Sequence, residues 1–309
     1  MTNAELEKMV DTSDEWIMSR TGIRERRIAH KDEFTSDMGA AAAEQAIKLA
    51  GIDPKSIDLI IVATCTPDTA FPSTACHIQH KIGATRAAAF DVNAACSGFL
   101  YALVTGDQFI AGGIYKTVLV IGAEKLSSIV NWQDRNTCVL FGDGAGAVIL
   151  QHRPNARGML AYDLGADGAQ TEILSVPAGG CRIPITQEVI DQRLQYLQMA
   201  GKEVFKYAVT AMNRSAEVCL DKAGIKAKEL RWVIPHQANF RIVDAVAQRL
   251  NISLEHFVVN LDRYGNTSAA CMPICLHETV MAGKLDRGDL LLMVAFGGGL
   301  TWASSVIEW

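Results

Sequence analysis

Three side chains in this sequence have the types and settings needed for catalysis by a nucleophilic cysteine. Cys96 closes the apolar run Ala88 to Ala95 and opens the helical pattern Ser97 to Ile110. At a helix N-terminus, unpaired N–H groups and the positive end of the dipole favour thiolate over thiol, which makes Cys96 the candidate nucleophile. A cysteine taken alone is more often a small buried hydrophobe, so its company has to decide. His236 stands just after the run Leu230 to Ile234, within Ile234-Pro235-His236-Gln237-Ala238-Asn239. Asn266 lies in Tyr264-Gly265-Asn266-Thr267-Ser268. Catalytic groups in α/β proteins gather beyond the carboxyl ends of strands, where both residues are expected.

The elements that must position these groups repeat. Ala50-Gly51-Ile52 followed by Ile57 to Ile61 recurs as Ala223-Gly224-Ile225 followed by Leu230 to Ile234, an offset of 173 residues. The same offset carries Asn93-Ala94-Ala95-Cys96 onto Asn266-Thr267-Ser268-Ala269, and Val118 to Ile121 onto Leu291 to Val294. One shift serving three elements predicts two equivalent halves, 1–152 and 153–309, facing one another so that His236 and Asn266 converge on Cys96.

Each half reads as an alanine-rich helix (Asp37 to Ala50; Thr210 to Ala223), a strand, a second helix, another strand, and a helix opening near 96 or 269. Helices alternating with short β-branched runs predict an α/β fold with largely parallel sheets covered on both faces. The glycine runs Gly142 to Gly146 and Gly297 to Gly299 read as turns before closing strands, so a hairpin is expected to end each half. Applied backwards, the offset leaves the strand-like Gly158 to Tyr162 with no counterpart, so the first half is expected to lack its opening strand.

With 309 residues, 49% of them hydrophobic, the chain can bury a large core. The balance of 29 basic against 34 acidic residues gives no chain-wide attraction to nucleic acid or an anionic membrane. No stretch of about 20 uninterrupted apolar residues and no apolar signal core at the N-terminus are found, so a cytoplasmic protein is expected. The eight cysteines lack a C-x-x-C pair and are expected as thiols in a reducing compartment.

Asp91 to Phe99, His236 to Asn239, Tyr264 to Ser268 and Phe296 to Gly299 together resemble β-ketoacyl-[acyl carrier protein] synthase III, over Thr2 to Trp309. The resemblance implies a thiolase fold, with duplicated βαβαβ halves layered α-β-α-β-α. It also implies an acyltransferase that initiates fatty acid synthesis by decarboxylative condensation. Cys96 would attack acetyl-CoA or another short acyl-CoA, with the backbone N–H groups of Cys96 and Gly298 as the oxyanion hole. Neutral His236 and the Asn266 amide would then donate to the thioester carbonyl of malonyl-carrier protein as carbon dioxide leaves. A homologous condensing enzyme of a specialised pathway, with a longer or different primer, is the alternative.

The same resemblance implies that Trp16, Arg20, Thr21, Arg135, Gly201, Phe205 and Asn239 hold coenzyme A, with Trp16 and Arg135 stacking on opposite faces of adenine. Asn136 stands where the family has glycine after that arginine. Phe71, Leu197 and Phe296 would form the acyl pocket and its gate, Phe71 reaching in from the partner of a homodimer. The stretch Cys181 to Leu197, which borders that pocket, is longer than the family's usual connection. Lys206, Arg241 and Arg249 would dock the acidic acyl carrier protein. No metal and no permanently bound cofactor are implied, only the acyl-CoA substrate.

Other signals carry less. Cys76-His77-x-x-His80 has no second ligand pair at a zinc spacing, and Gly142-x-Gly144-x-Gly146 lacks the P-loop lysine. Cys271 and Cys275 fall at i and i+4 of a helix and read as core. Among rivals, a degradative thiolase needs a second catalytic cysteine that Ala295 to Gly299 does not supply. A papain-type hydrolase expects different cysteine surroundings, and an inactive scaffold would not need all three catalytic residues.

Overall fold

The computed structural model describes residues 1–154 and 157–309. From the N-terminus come α1 (Asn3–Leu6), α2 (Asp14–Thr21), α3 (Thr35–Ala50), β1 (Leu59–Ala63), α4 (Thr74–Lys81), β2 (Ala88–Val92), α5 (Gly98–Ala111), β3 (Thr117–Lys125), α6 (Arg135–Cys138) and β4 (Asp143–Gln151). The chain continues through β5 (Gly158–Ala166), β6 (Leu174–Ser175), α7 (Gln187–Asp191), β7 (Gln198–Met199), α8 (Gly201–Ala223), β8 (Trp232–Pro235), α9 (Phe240–Leu250), α10 (Leu261–Tyr264), α11 (Cys271–Met281), β9 (Leu290–Gly297) and β10 (Thr301–Glu308).

Strand β1 is buried at every position, so both of its faces need cover. Its odd positions Leu59, Ile61 and Ala63 join Val118 and Val120 of β3 in a cluster with α5, α11 and the inner face of β9. Ile60 and Val62 point the other way, into a cluster with α3 and α4. Strand β9 alternates likewise: Leu291, Met293 and Ala295 face the middle layer, while Leu292, Val294 and Phe296 pack with α8 and α9. The layers therefore run α3/α4, first sheet, α5/α11, second sheet, α8/α9, the α-β-α-β-α order of a thiolase fold.

The first sheet has strand order β2-β1-β3-β4 and the second β8-β9-β10-β5. A shift of 173 residues superposes β1 on β8 and β3 on β9 to within a residue, and each sheet closes with an antiparallel hairpin, β3/β4 or β9/β10. Strand β5 pairs beyond β10, whereas no described strand lies beyond β4.

Four sequence expectations are corrected. The second sheet is mainly antiparallel, because β5/β10 and β9/β10 are both antiparallel and only β8/β9 is parallel. Gly144 and Gly146 lie within β4 instead of forming a turn. A Cβ on Gly146 would fall 2.9 Å from the Ile274 nitrogen and the Pro273 backbone, so its glycine serves close packing under α11. Helix α8 begins nine residues earlier than its alanine-rich part suggests.

Lastly, the strand expected after α9 is reduced to a single bridge between Val233 and Phe257. Pro235 has no N–H to continue the ladder. The Gln237 side chain takes over, donating to Val258 O at 3.1 Å and accepting from Asn260 N–H at 3.1 Å.

Candidate active site

Cys96 sits in the 3-10 turn Ala95–Ser97 that leads into α5. Ala95 adopts φ 46°, a left-handed conformation uncommon for alanine. Ser268, its equivalent at the 173-residue offset, adopts φ 49° in the matching turn before α11. These two elbows pack across the middle layer, each against the other half's sheet. A Cβ on Gly297 of β9 would lie 2.6 Å from Cys96 N, and one on Gly122 of β3 would lie 2.3 Å from Ala269 O. Glycine at these positions lets backbone approach backbone.

Cys96 is 8% exposed. Burial pushes its thiol up to about 12, and the Ser268 hydroxyl beside it draws it partly back. The thiolate expected from the helix end is thus corrected: desolvation outweighs the local N–H groups, and the free site holds a protonated thiol.

The Asn266 N–H donates to Leu140 O at 2.8 Å, and its side-chain Oδ1 accepts the Ser268 N–H at 2.8 Å. Fixing the oxygen in this way leaves the amide NH2 as the group open to the cavity. His236 follows β8 directly and donates its backbone N–H to Val294 O at 2.8 Å. Its ring nitrogen Nδ1 lies 3.0 Å from Cys271 Sγ. Burial holds this imidazole down to about 4, so it is neutral at physiological pH.

Behind Cys96 is a carboxyl absent from the sequence-based candidates. Glu124, at the end of β3, is fully buried. Its carboxyl accepts from Thr66 Oγ1 at 2.5 Å, Ser268 Oγ at 2.9 Å, the Cys65 N–H at 3.1 Å and the Cys65 thiol at 3.3 Å. Burial raises its pKa against these hydrogen bonds. Ser268 therefore touches both Glu124 and the surroundings of Cys96. The repeat offered a signal for Ser268, which it sets opposite Ala95; nothing in the local pattern marked Glu124.

Cys96, His236, Asn266, Phe296, Leu197 and Gly298 line one cavity of about 1000 Å³. Trp16, Arg20, Thr21, Gly201, Phe205, Asn239 and Arg241 line it too. Arg20, Phe205 and Arg241 are exposed while the first three are buried, so the cavity runs from the surface to the thiol. Gly298 is held close, since a Cβ there would fall 2.9 Å from Leu174 O.

Two of the residues expected to hold coenzyme A have their side chains engaged elsewhere. The Thr21 hydroxyl donates to Ile17 O at 2.7 Å and accepts from Ile23 N–H at 3.0 Å. The Asn239 side chain caps α9 through Arg241 N–H and donates to Arg20 O at 3.0 Å.

Arg135, Phe71, Lys206 and Arg249 are not in the cavity wall. The Arg135 guanidinium lies 5.1 Å from the centre of the Trp16 ring. A flat base held between two faces needs about 7 Å, twice a van der Waals contact, so the two side chains must part to admit one. Phe71 is 86% exposed in the loop between β1 and α4. Lys206 on α8 and Arg249 on α9 are exposed. Among the described residues, no three His, Cys, Asp or Glu side chains come together as a metal-holding group, and His77 and His80 belong to none.

Residues 90–168 match the family model described as 3-oxoacyl-[acyl-carrier-protein] synthase III, and residues 220–309 match that of its C-terminal part. The whole chain is 52% identical to the β-ketoacyl-[acyl-carrier-protein] synthase III of Desulfitobacterium hafniense strain Y51, covering 93% of that protein. It is 52% identical to the protein of the same name from Roseiflexus sp. strain RS-1, covering 94%. The crystal structure of 3-oxoacyl-[acyl-carrier-protein] synthase III from Aquifex aeolicus superposes with a TM-score of 0.93 at 50% identity, over all of this chain and 95% of that one.

Proposed function

The chain belongs to the 3-oxoacyl-[acyl-carrier-protein] synthase III family, and on that premise we propose that Cys96, His236 and Asn266 carry out its condensation. It is an acyltransferase, the initiating condensing enzyme of fatty acid synthesis, and its relatives do not favour a specialised-pathway alternative.

In the first half-reaction Cys96 Sγ attacks the carbonyl of acetyl-CoA or another short acyl-CoA. The new C–S bond replaces the bond to coenzyme A, and the thiol proton leaves with the departing sulfur. Backbone N–H groups of Cys96 and Gly298 face the developing oxyanion. In the second half-reaction the C–C bond to the malonyl carboxylate breaks and carbon dioxide leaves. The electron pair enters an enolate whose oxygen accepts hydrogen bonds from His236 and the Asn266 amide. The enolate carbon then attacks the acyl group on Cys96, releasing a 3-oxoacyl-carrier protein and the cysteine thiolate, which takes up a proton from solvent to restore the thiol.

The observation that carries this assignment is the donor pair. His236 is neutral by burial, and Asn266 has its oxygen tied to Ser268 N–H, so both can present N–H to an anionic oxygen beside the thiol. Neutral donors match the chemistry: an enolate is stabilised without first forming an ion pair with the malonyl carboxylate.

For coenzyme A, the exposed end of the cavity supplies Arg20, Gly201 and Phe205, with Trp16 and Arg135 parting to take the adenine. Thr21 and Asn239 act there through the backbone they fix. Leu197 and Phe296 border the acyl group. The exposed ring of Phe71 supports a homodimer in which it closes the partner's pocket. Exposed Lys206, Arg241 and Arg249 supply positive charge for an acidic carrier protein. All eight cysteines are free, in keeping with a reducing compartment such as the cytoplasm. No helix among the described residues is long and apolar enough to cross a membrane.

Intact-protein mass spectrometry after incubation with acetyl-CoA tests the assignment. Wild type gains one acetyl group, Cys96→Ala gains none, and a chase with malonyl-carrier protein yields acetoacetyl-carrier protein. Acetylation of the Cys96→Ala protein would move the nucleophile elsewhere.

A further inference from the structure

The i, i+4 spacing of Cys271 and Cys275 predicts core packing, and Cys271 is buried, with 2% of its surface exposed. It opens α11, one turn after the Ser268 elbow. Its sulfur is 3.0 Å from His236 Nδ1 and accepts the Gln237 N–H at 3.5 Å. The other ring nitrogen of His236, Nε2, has no protein partner and is not sealed from the cavity that His236 lines.

We propose that Cys271 is a positioning residue that holds His236 in the tautomer with its proton on Nε2. The inference deepens the function proposed above and rests on it for its catalytic meaning.

A neutral imidazole carries one proton, and the partner of one nitrogen decides where it resides. Burial raises the Cys271 thiol far above its ordinary value and lowers the imidazole, so neither an imidazolium nor a thiolate is stable between them. Two neutral arrangements remain. In one, the thiol donates to bare Nδ1 and the proton sits on Nε2. In the other, Nδ1–H donates to sulfur. Imidazole nitrogen is a much stronger acceptor than thiol sulfur, and the sulfur already receives the Gln237 N–H. The first arrangement is therefore preferred.

The consequence is chemical. Only the Nε2–H form gives the cavity a donor; the other presents a lone pair, which would repel an enolate oxygen. A serine at 271 would do the same work through its hydroxyl, whereas alanine leaves the tautomer free to exchange.

The test is nitrogen NMR of histidine-labelled enzyme, with the His236 signals assigned by their loss in His236→Gln. Wild type is expected to show protonated Nε2 and bare Nδ1; a proton on Nδ1 overturns the proposal without any further variant. Cys271→Ala is expected to mix the tautomers and slow malonyl decarboxylation about tenfold, the worth of one neutral hydrogen bond. Its acetylation at Cys96 is expected to stay at the wild-type rate. Cys271→Ser is expected to restore both the nitrogen pattern and decarboxylation. A Cys271→Ala protein with the wild-type nitrogen pattern and decarboxylation rate overturns the proposal. The nitrogen pattern decides the tautomer whether or not Cys96 takes an acetyl group, so a failure of the proposed reaction stays distinguishable.

Discussion

At the scale of single residues, burial keeps Cys96 and His236 uncharged. His236 shows the cost. Its imidazole is held down to about 4 in the folded chain, against an ordinary value of 6.5. Above pH 6.5 neither state binds the proton and the contribution to stability is complete. As pH falls from 6.5 towards 4 the unfolded chain takes up a proton that the folded one refuses, and stability is lost; below 4 the loss levels off. The loss amounts to about 3 kcal/mol. Urea unfolding at pH 7 and pH 4 is expected to show wild type losing about that much more than His236→Gln, and parallel losses would contradict a buried neutral imidazole. Residue types were legible here because cysteine, histidine and asparagine stand out at strand ends. Cys271 and Glu124 were not, because a thiol on a helix and a carboxyl at a strand end have many ordinary uses, and only the folded distances reveal their partners.

At the scale of elements, the two elbows decide where chemistry can occur. Repetition at 173 residues made both visible, and the β3/β4 and β9/β10 hairpins with them. What the pattern could not give was the purpose of the glycines. Gly144 and Gly146 look like a turn in sequence, yet they lie in β4 because α11 packs against them. The missing strand after α9 was equally hidden, since it depends on a side-chain amide substituting for the N–H that Pro235 lacks. Gly297 gives the sharpest consequence. Alanine there would press on Cys96 N, so Gly297→Ala is expected to lower unfolding free energy by about 1–3 kcal/mol. Displacing the nucleophile should slow acetylation by about 10²-fold. Thermal unfolding alongside timed mass spectrometry separates the two effects, and wild-type acetylation in this variant would show that the elbow can move freely.

For the whole molecule, two equivalent halves with sheets covered on both faces followed from alternation and duplication and the layer order from the family resemblance, whereas the mixed direction of the second sheet followed from neither. Period-two patterns report which face a strand buries and carry no sign of its direction. The face proposed to dock the carrier protein and the cavity floor also differ in kind. The floor holds a protonated thiol, a neutral imidazole and an amide, while Lys206, Arg241 and Arg249 stand in water on a chain of net charge −5. Ionic strength therefore acts as a dial that reaches one and not the other. At about 1 M salt the Debye length shrinks to about 3 Å, which screens exposed charges far more than groups buried at the cavity floor. Raising salt is expected to increase KM for malonyl-carrier protein severalfold while Cys96 acetylation at saturating acetyl-CoA holds steady. A KM for malonyl-carrier protein that does not respond to salt would place the carrier protein on an uncharged surface. With docking proposed at that face, the choice of carrier is open to retuning by surface substitutions that leave the bond-making machinery untouched.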